Sequence, residues 1–220
     1  MKLFILTHLY FIPMLVSVIL SLKAFRLRWP YGYRVFSVLL FTALGTEIVA
    51  TLWRYWLHRF GGYSVENAWI YTASFIPQYV LFMLTYYHVL LSRNIKKAII
   101  CVIIGFSVFV VANAVFIQKF EINSNAHITA NIIMILLAFA YFDQVRKDKE
   151  LHKLSSLPMV WISLGVLVYH LLNIPFVTSF NYLIKKDLKL ATAIYIVYQQ
   201  FIFVSYVFYA RAFLCKTPPK

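Results

Sequence analysis

Seven apolar stretches, each long enough to cross a bilayer, occupy most of this 220-residue chain. A transmembrane helix needs about 20 apolar residues, and the sequence predicts seven such helices over about residues 3–22, 35–53, 68–91, 97–117, 125–142, 157–180 and 188–214. Only 13% of the residues are charged, about half the share typical of soluble domains. Because the connections are short, we expect one all-α integral membrane bundle over residues 1–220 without a soluble domain.

The positions of the basic residues predict how this bundle is oriented. If the connection after the first helix is cytoplasmic, 14 of the 21 Lys and Arg residues lie inside and the other 7 outside. Cytoplasmic loops carry such an excess of basic residues, so we expect an outside N-terminus and a cytoplasmic C-terminus. The formal net charge of +14 therefore indicates contact with the lipid bilayer and not with nucleic acid.

Glu47 is the only acidic residue that lies well inside an apolar segment. It is about 18 Å from the inner edge of the second helix at 1.5 Å per residue, in the outer half of a core about 30 Å thick. An acid at such a depth marks a functional site by default, because a carboxylate is costly there unless it is paired, protonated or hydrated. Arg54 lies two turns further along, so we expect the partner of Glu47 on another helix.

Other polar side chains fall at similar depths in the third, fifth, sixth and seventh helices. They are Gln78, His127, Asn131, His170, Asn173 and Gln199. Together with Glu47 they predict a polar, ligand-binding pocket in the outer half of the bundle. Each also has a purely structural interpretation, because buried amides and imidazoles in membrane bundles commonly hydrogen-bond between helices.

Three classes of function follow from this pattern. The leading hypothesis is a non-enzymatic membrane protein that binds a small molecule or lipid in the outer pocket, or that serves as a membrane component of a larger assembly with a membrane or cytoplasmic protein partner. The alternative is a small-solute transporter with proton coupling through Glu47, because helices one to three and five to seven would run in parallel as two three-helix repeats. No cofactor is expected under either hypothesis.

An intramembrane metal-dependent hydrolase is a third and weaker hypothesis. Seven-helix zinc hydrolases of the ceramidase and adiponectin-receptor type use several histidines and acids near one membrane face. This chain has no H-x-x-x-H pair and no histidine in its seventh helix. We therefore predict neither catalytic residues nor a metal site.

Three short motifs suggest a family. Thr46-Glu47, Glu66-Asn67 and Pro158-x-x-Trp161-Ile162-x-x-Gly165-x-Leu167-x-Tyr169 resemble a group of small, uncharacterised bacterial seven-helix inner-membrane proteins. The resemblance implies the seven-helix fold and a multi-pass location in the bacterial inner membrane. It implies no activity, because none is established for that group.

Overall fold

The computed structural model describes residues 8–61, 68–117, 124–147 and 154–216. These residues form seven α-helices and no strand: α1 Phe11–Arg26, α2 Tyr31–Gly61, α3 Ala68–Val89, α4 Arg93–Ala112, α5 Ser124–Lys147, α6 Pro158–Lys186 and α7 Leu188–Leu214. A π-helical turn, Asn113–Ile117, continues α4, and a 3₁₀ turn, Leu154–Ser156, precedes α6. The all-helical prediction is thus confirmed for the part of the chain that the structure describes.

Five of the helices contain stretches that are long and apolar enough to cross a membrane: Tyr31–Arg54, Arg93–Phe116, Ser124–Lys147, Pro158–Phe180 and Leu188–Leu214. The chain therefore has the helices of a multi-pass membrane protein. The first predicted helix begins at residue 3, and its first residues lie outside the described ranges. Seven spans and the orientation of the termini remain predictions.

Several helices extend beyond the ranges that hydropathy predicts, because hydropathy marks the apolar span and not the end of the helix. Helix α2 covers Tyr31–Gly61 instead of 35–53, and α6 continues to Lys186 instead of ending at 180. Helix α4 starts at Arg93 instead of 97, after Ser92, whose hydroxyl accepts from the backbone N–H of Ile95.

Helix α5 also differs from its predicted end at residue 142, because it runs on to Lys147. In its last turn Asp143 forms ion pairs with Arg146 and Lys147. Such pairs three and four residues apart stabilise a helix, so residues 143–147 are helical and not part of a loop. The prediction for α7, 188–214, agrees with the structure.

Six helices pack side by side in chain order and close a ring. Neighbours in this ring are α1 and α2, α2 and α3, α3 and α5, α5 and α6, α6 and α7, and finally α7 and α1. Helix α4 packs against α3 and α5 from outside the ring. The arrangement thus sets α1–α3 and α5–α7 beside each other, with α4 between them in sequence but peripheral in space.

Large aromatic side chains fill one end of this ring. Trp29, Phe36, Tyr86 and Phe213 are fully buried, and the rings of Phe36 and Phe213 lie 6.2 Å apart. Aromatic pairs at such distances add about 0.5–1.5 kcal/mol beyond the burial of their surface. This end is therefore the solid core of the bundle, and the polar residues of interest lie elsewhere.

Candidate functional site

The carboxylate of Glu47 accepts hydrogen bonds from two tyrosines of neighbouring helices. The hydroxyl of Tyr10, immediately before α1, donates to Oε2 at 2.9 Å, and the hydroxyl of Tyr71, in the first turn of α3, donates to the same atom at 3.0 Å. Both partners of Glu47 thus lie outside α2. A partner on another helix is what we expected, because Arg54 lies two turns away from Glu47 along α2. Glu47 ties α1, α2 and α3 together.

The second carboxylate oxygen of Glu47, Oε1, differs from Oε2 in its hydrogen bonding. Within the part of the chain that the structure describes, Oε1 accepts no hydrogen bond, and it is not among the fully buried polar atoms that lack a partner. Glu47 as a whole is half-buried. Oε1 can therefore meet a donor that does not belong to these helices.

The charge of Glu47 is not neutralised by a Lys or Arg residue of the described segments. Their ion pairs join Asp143 to Arg146 and Lys147, and none involves Glu47. His8 lies within electrostatic range of the carboxylate, whereas Arg54 interacts with Tyr71 and Tyr195. A carboxylate in this setting is stabilised by neutral hydroxyl donors, and a cationic or hydrogen-donating ligand would stabilise it further.

Gln78 and Gln199 flank the Glu47 site without touching its carboxylate. Gln78 Nε2 donates to Thr46 Oγ1 at 3.0 Å, next to Glu47 in the chain. Gln199 is buried in α7, one turn after Tyr195, and its Oε1 has no hydrogen-bond partner among the described residues. Gln78 therefore positions a neighbour of the acid.

Asn131, His170 and Asn173 form a second, fully buried cluster between α5 and α6. Asn131 Oδ1 lies 2.7 Å from His170 Nδ1 and accepts from Asn173 Nδ2 at 3.1 Å. Because an amide oxygen only accepts, the proton of the His170 ring is assigned to Nδ1. The cluster joins two helices through one shared acceptor.

Two atoms of this buried cluster have no partner among the described residues. They are His170 Nε2, which can accept a hydrogen bond, and Asn131 Nδ2, which can donate one. Buried polar atoms without partners are costly and are commonly satisfied by a bound water molecule. The cluster therefore resembles a structural polar core more than an open binding site.

His127 lies one turn before Asn131 on α5. Its ring centroid is 4.3 Å from that of Phe75, and it interacts electrostatically with His170. Its Nδ1 is buried and has no partner in the described part of the chain. His127 thus belongs to the second cluster and does not contact Glu47.

The seven residues predicted from the sequence therefore fall into two groups. The first group lies around the Glu47 carboxylate and consists of Glu47, Gln78 and Gln199. The second lies between α5 and α6 and consists of His127, Asn131, His170 and Asn173. Tyr169 lies between them, because it precedes His170, is within electrostatic range of Glu47 and receives a 2.9 Å hydrogen bond from Tyr198.

The tyrosines around Glu47 were not singled out from the sequence, which has 16 of them. One signal identifies Tyr10. Tyr10 lies 13 residues before Lys23, and Glu47 lies 13 residues after Arg34. If two antiparallel helices place these basic residues at the same membrane face, Tyr10 and Glu47 lie at the same depth. For Tyr71 the sequence gives no comparable signal.

Two cavities lie away from both groups. One of about 620 Å³ lies between α1 and α7 near Lys23 and Arg26. The other, of about 230 Å³, lies between α6 and α7 beside Pro175 and Tyr198. Their walls are mostly apolar, so neither is the polar pocket that the sequence predicts.

No group of three or more His, Cys, Asp or Glu side chains within the described ranges is arranged to hold a metal ion. Comparisons of the chain with protein-family models, with curated proteins and with solved structures find no match. The resemblance to the bacterial inner-membrane group therefore stays an expectation, and its Glu66-Asn67 motif lies outside the described residues. What the site defines is a multi-pass membrane protein with one embedded acid.

Proposed function

We propose that the chain is a non-enzymatic multi-pass membrane protein that binds a small molecule or a lipid at Glu47. In this proposal the bundle has seven spans, an outside N-terminus and a cytoplasmic C-terminus, and it resides in the bacterial inner membrane. Glu47 is the central binding group. Tyr10, Tyr71 and Tyr195 surround it and supply hydroxyl groups to the same ligand.

One observation carries this proposal: Glu47 Oε2 accepts two tyrosine hydrogen bonds, whereas Oε1 accepts none from the described residues. An acid kept only to join helices gains most when all its lone pairs are satisfied. A carboxylate that is fixed at one oxygen and accessible at the other is instead oriented for an external donor. The ligand would then bind near the N-terminal ends of α1, α3 and α7 and beside the middle of α2.

The experiment is a thermal-shift screen of purified protein against a bacterial polar lipid extract and a panel of small amines, polyols and amino acids. We expect at least one member to raise the melting temperature of the wild type. Glu47→Gln keeps the shape and still accepts the tyrosine hydrogen bonds, so it should fold and lose this response. Asp143→Asn removes an exposed carboxylate in the last turn of α5, next to Gln144, which contacts Leu91 beyond the opposite end of α3 from Tyr71; this variant should retain the response.

A response that is equal in Glu47→Gln and wild type would refute a binding role for the acid. If no member of the panel stabilises either protein, the bundle would instead serve as a membrane component of a larger assembly. Co-purification of the wild type with a membrane or cytoplasmic protein would then identify its partner.

The packing of the helices favours a second candidate, a small-solute transporter with proton coupling through Glu47. Helices α1–α3 and α5–α7 lie beside each other with α4 outside the ring, which suits two parallel three-helix repeats. Reconstituted vesicles should then show solute flux that depends on a proton gradient in wild type and not in Glu47→Gln. Gradient-independent binding without flux would favour the first candidate.

A further inference from the structure

Two basic residues, Lys23 and Arg26, line the cavity at the C-terminal end of α1. Its walls are otherwise apolar and include Ile19, Leu22 and Leu214. Its volume of about 620 Å³ is in the range of sites that bind small molecules. Two cations thus lie at the rim of an apolar groove.

Lys23 is held in place at this rim by the end of α7. Its Nζ donates to the backbone carbonyl oxygens of Phe213 at 3.2 Å and Cys215 at 3.0 Å. It also lies 5.4 Å from the ring centroid of Trp29. These contacts fix the ammonium group without neutralising its charge, because every partner is uncharged.

Arg26 differs from Lys23 in its exposure. It is the last residue of α1 and is exposed, one turn beyond Lys23. The only ion pairs within the described segments are those of Asp143, so no carboxylate there balances Arg26.

The other described acids are too far away or already engaged. Asp187 caps the first turn of α7 by accepting from the backbone N–H groups of Lys189 and Leu190. The groove lies at the opposite end of this 27-residue helix, about 40 Å away at 1.5 Å per residue. Glu47 accepts from Tyr10 and Tyr71. Within the described segments, no carboxylate therefore complements the positive charge of the groove.

The surface next to the groove suits an acyl chain. Ile12, Val16 and Ile19 follow one another along one face of α1 and are 61%, 43% and 56% exposed. From Lys23 back to Ile12 the helix spans about 16 Å at 1.5 Å per residue. That length is close to half of a hydrocarbon core about 30 Å thick, so one leaflet's acyl chain fits along this face.

We propose that the groove between α1 and α7 is a binding site for an anionic phospholipid. Its phosphate contacts Arg26 and the ammonium group of Lys23, and its acyl chains follow the apolar face of α1. Basic pockets between membrane helices bind anionic head groups by the same combination of charge and apolar wall. The apolar wall is the reason to assign a lipid and not a free phosphate ion. This site is independent of the proposed function of Glu47.

The test is native mass spectrometry of the full-length protein in a non-ionic detergent, with phosphatidylglycerol or phosphatidylcholine of identical acyl chains added. We expect one phosphatidylglycerol to bind at least about fivefold more tightly than phosphatidylcholine, the size expected from one cation near an anionic lipid. Arg26→Gln should reduce this preference about fivefold, because the charge of Lys23 remains, and Arg26→Lys should restore it. Arg93→Gln removes the same charge from an exposed position at the start of α4, near the same end of the bundle, and should leave the preference intact.

Equal binding of the two lipids would overturn the proposal, and that comparison needs no variant. An unchanged preference in Arg26→Gln, or an equal loss in Arg93→Gln, would also overturn it, because the charge effect would then not belong to the groove. Displacement of the lipid by millimolar inorganic phosphate would show that the site takes the anion alone, which contradicts a lipid site.

Discussion

Among the described glycines, Gly165 lies closest to a side chain of another helix, and its replacement by alanine tests the packing of α6 against α7. A Cβ atom at this position would lie 2.5 Å from Cε1 of Tyr209 and 3.0 Å from the backbone oxygen of Ser205. The ring of Tyr209 has little room to move, because it is 4% exposed and packs against Phe36 at a centroid distance of 5.1 Å. The added methyl group must therefore push the helices apart.

The magnitude follows from a matched pair of variants. Gly105 in α4 has no atom within 4 Å of an added Cβ, so Gly105→Ala gains helix propensity without a clash. Gly165→Ala gains the same propensity term but adds overpacking, which costs about 1–3 kcal/mol. The propensity terms cancel in the comparison. At about 2–4 °C per kcal/mol for a chain of this size, 2 kcal/mol corresponds to a difference of about 4–8 °C in melting temperature.

The assay is thermal unfolding of both purified variants in the same detergent, followed by the fluorescence of a thiol-reactive or intrinsic probe. We expect Gly165→Ala to melt below Gly105→Ala by several degrees. Equal melting temperatures, or a more stable Gly165→Ala, would refute the close contact of α6 with α7 and with it the positions of Tyr169 and Tyr198.

Three further expectations concern residues outside that contact. Asn131→Ala removes the acceptor shared by two buried donors and should lower the free energy of unfolding by about 1–3 kcal/mol. Ile132→Ala, on the exposed face of α5, should change it far less. Equal losses in thermal unfolding would contradict the hydrogen bonds of the cluster. Asp187→Ala removes the N-cap of α7 and should cost about 1 kcal/mol, and Asp187→Asn should restore most of it; no difference between the two variants would contradict the cap. Burial raises the pKa of the Cys215 thiol, although the charges of Arg211 and Lys23 act in the opposite direction. Less thiolate is therefore present at pH 8. Mass spectrometry should find slower alkylation of Cys215 in the native protein than in dodecyl sulfate, and the native rate should rise with pH.

Hydropathy alone predicts the architecture, because a bilayer leaves few solutions for a chain of long apolar runs. Helix α7 agrees with the prediction at both ends. Helices α2, α5 and α6 are longer than predicted, because a helix continues beyond its apolar part where helix formers and ion pairs, such as those of Asp143, support it. Hydropathy indicates the apolar part of a helix and not its ends.

The candidate site could be predicted only in part. An acid among apolar residues is conspicuous, so the sequence alone points to Glu47. Residues four and three apart on a helix, such as His127 with Asn131 and His170 with Asn173, share a face. Which helix faces another is a property of tertiary packing. For that reason the separation of Glu47 from the Asn131 cluster, and the role of Tyr71, could not be read from one sequence.

Chemical accessibility of Glu47 in the folded protein is the most direct measure of whether it is a binding group or only a link between helices. A hydrophobic carbodiimide reacts with carboxyl groups in apolar surroundings, and mass spectrometry of the digested protein locates the modified residue. We predict that Glu47 is modified in the folded wild type, because its Oε1 accepts no hydrogen bond from the described helices, and that Glu47→Gln loses this modification. Protection of Glu47 in the folded protein, with modification only after denaturation in dodecyl sulfate, would contradict the account.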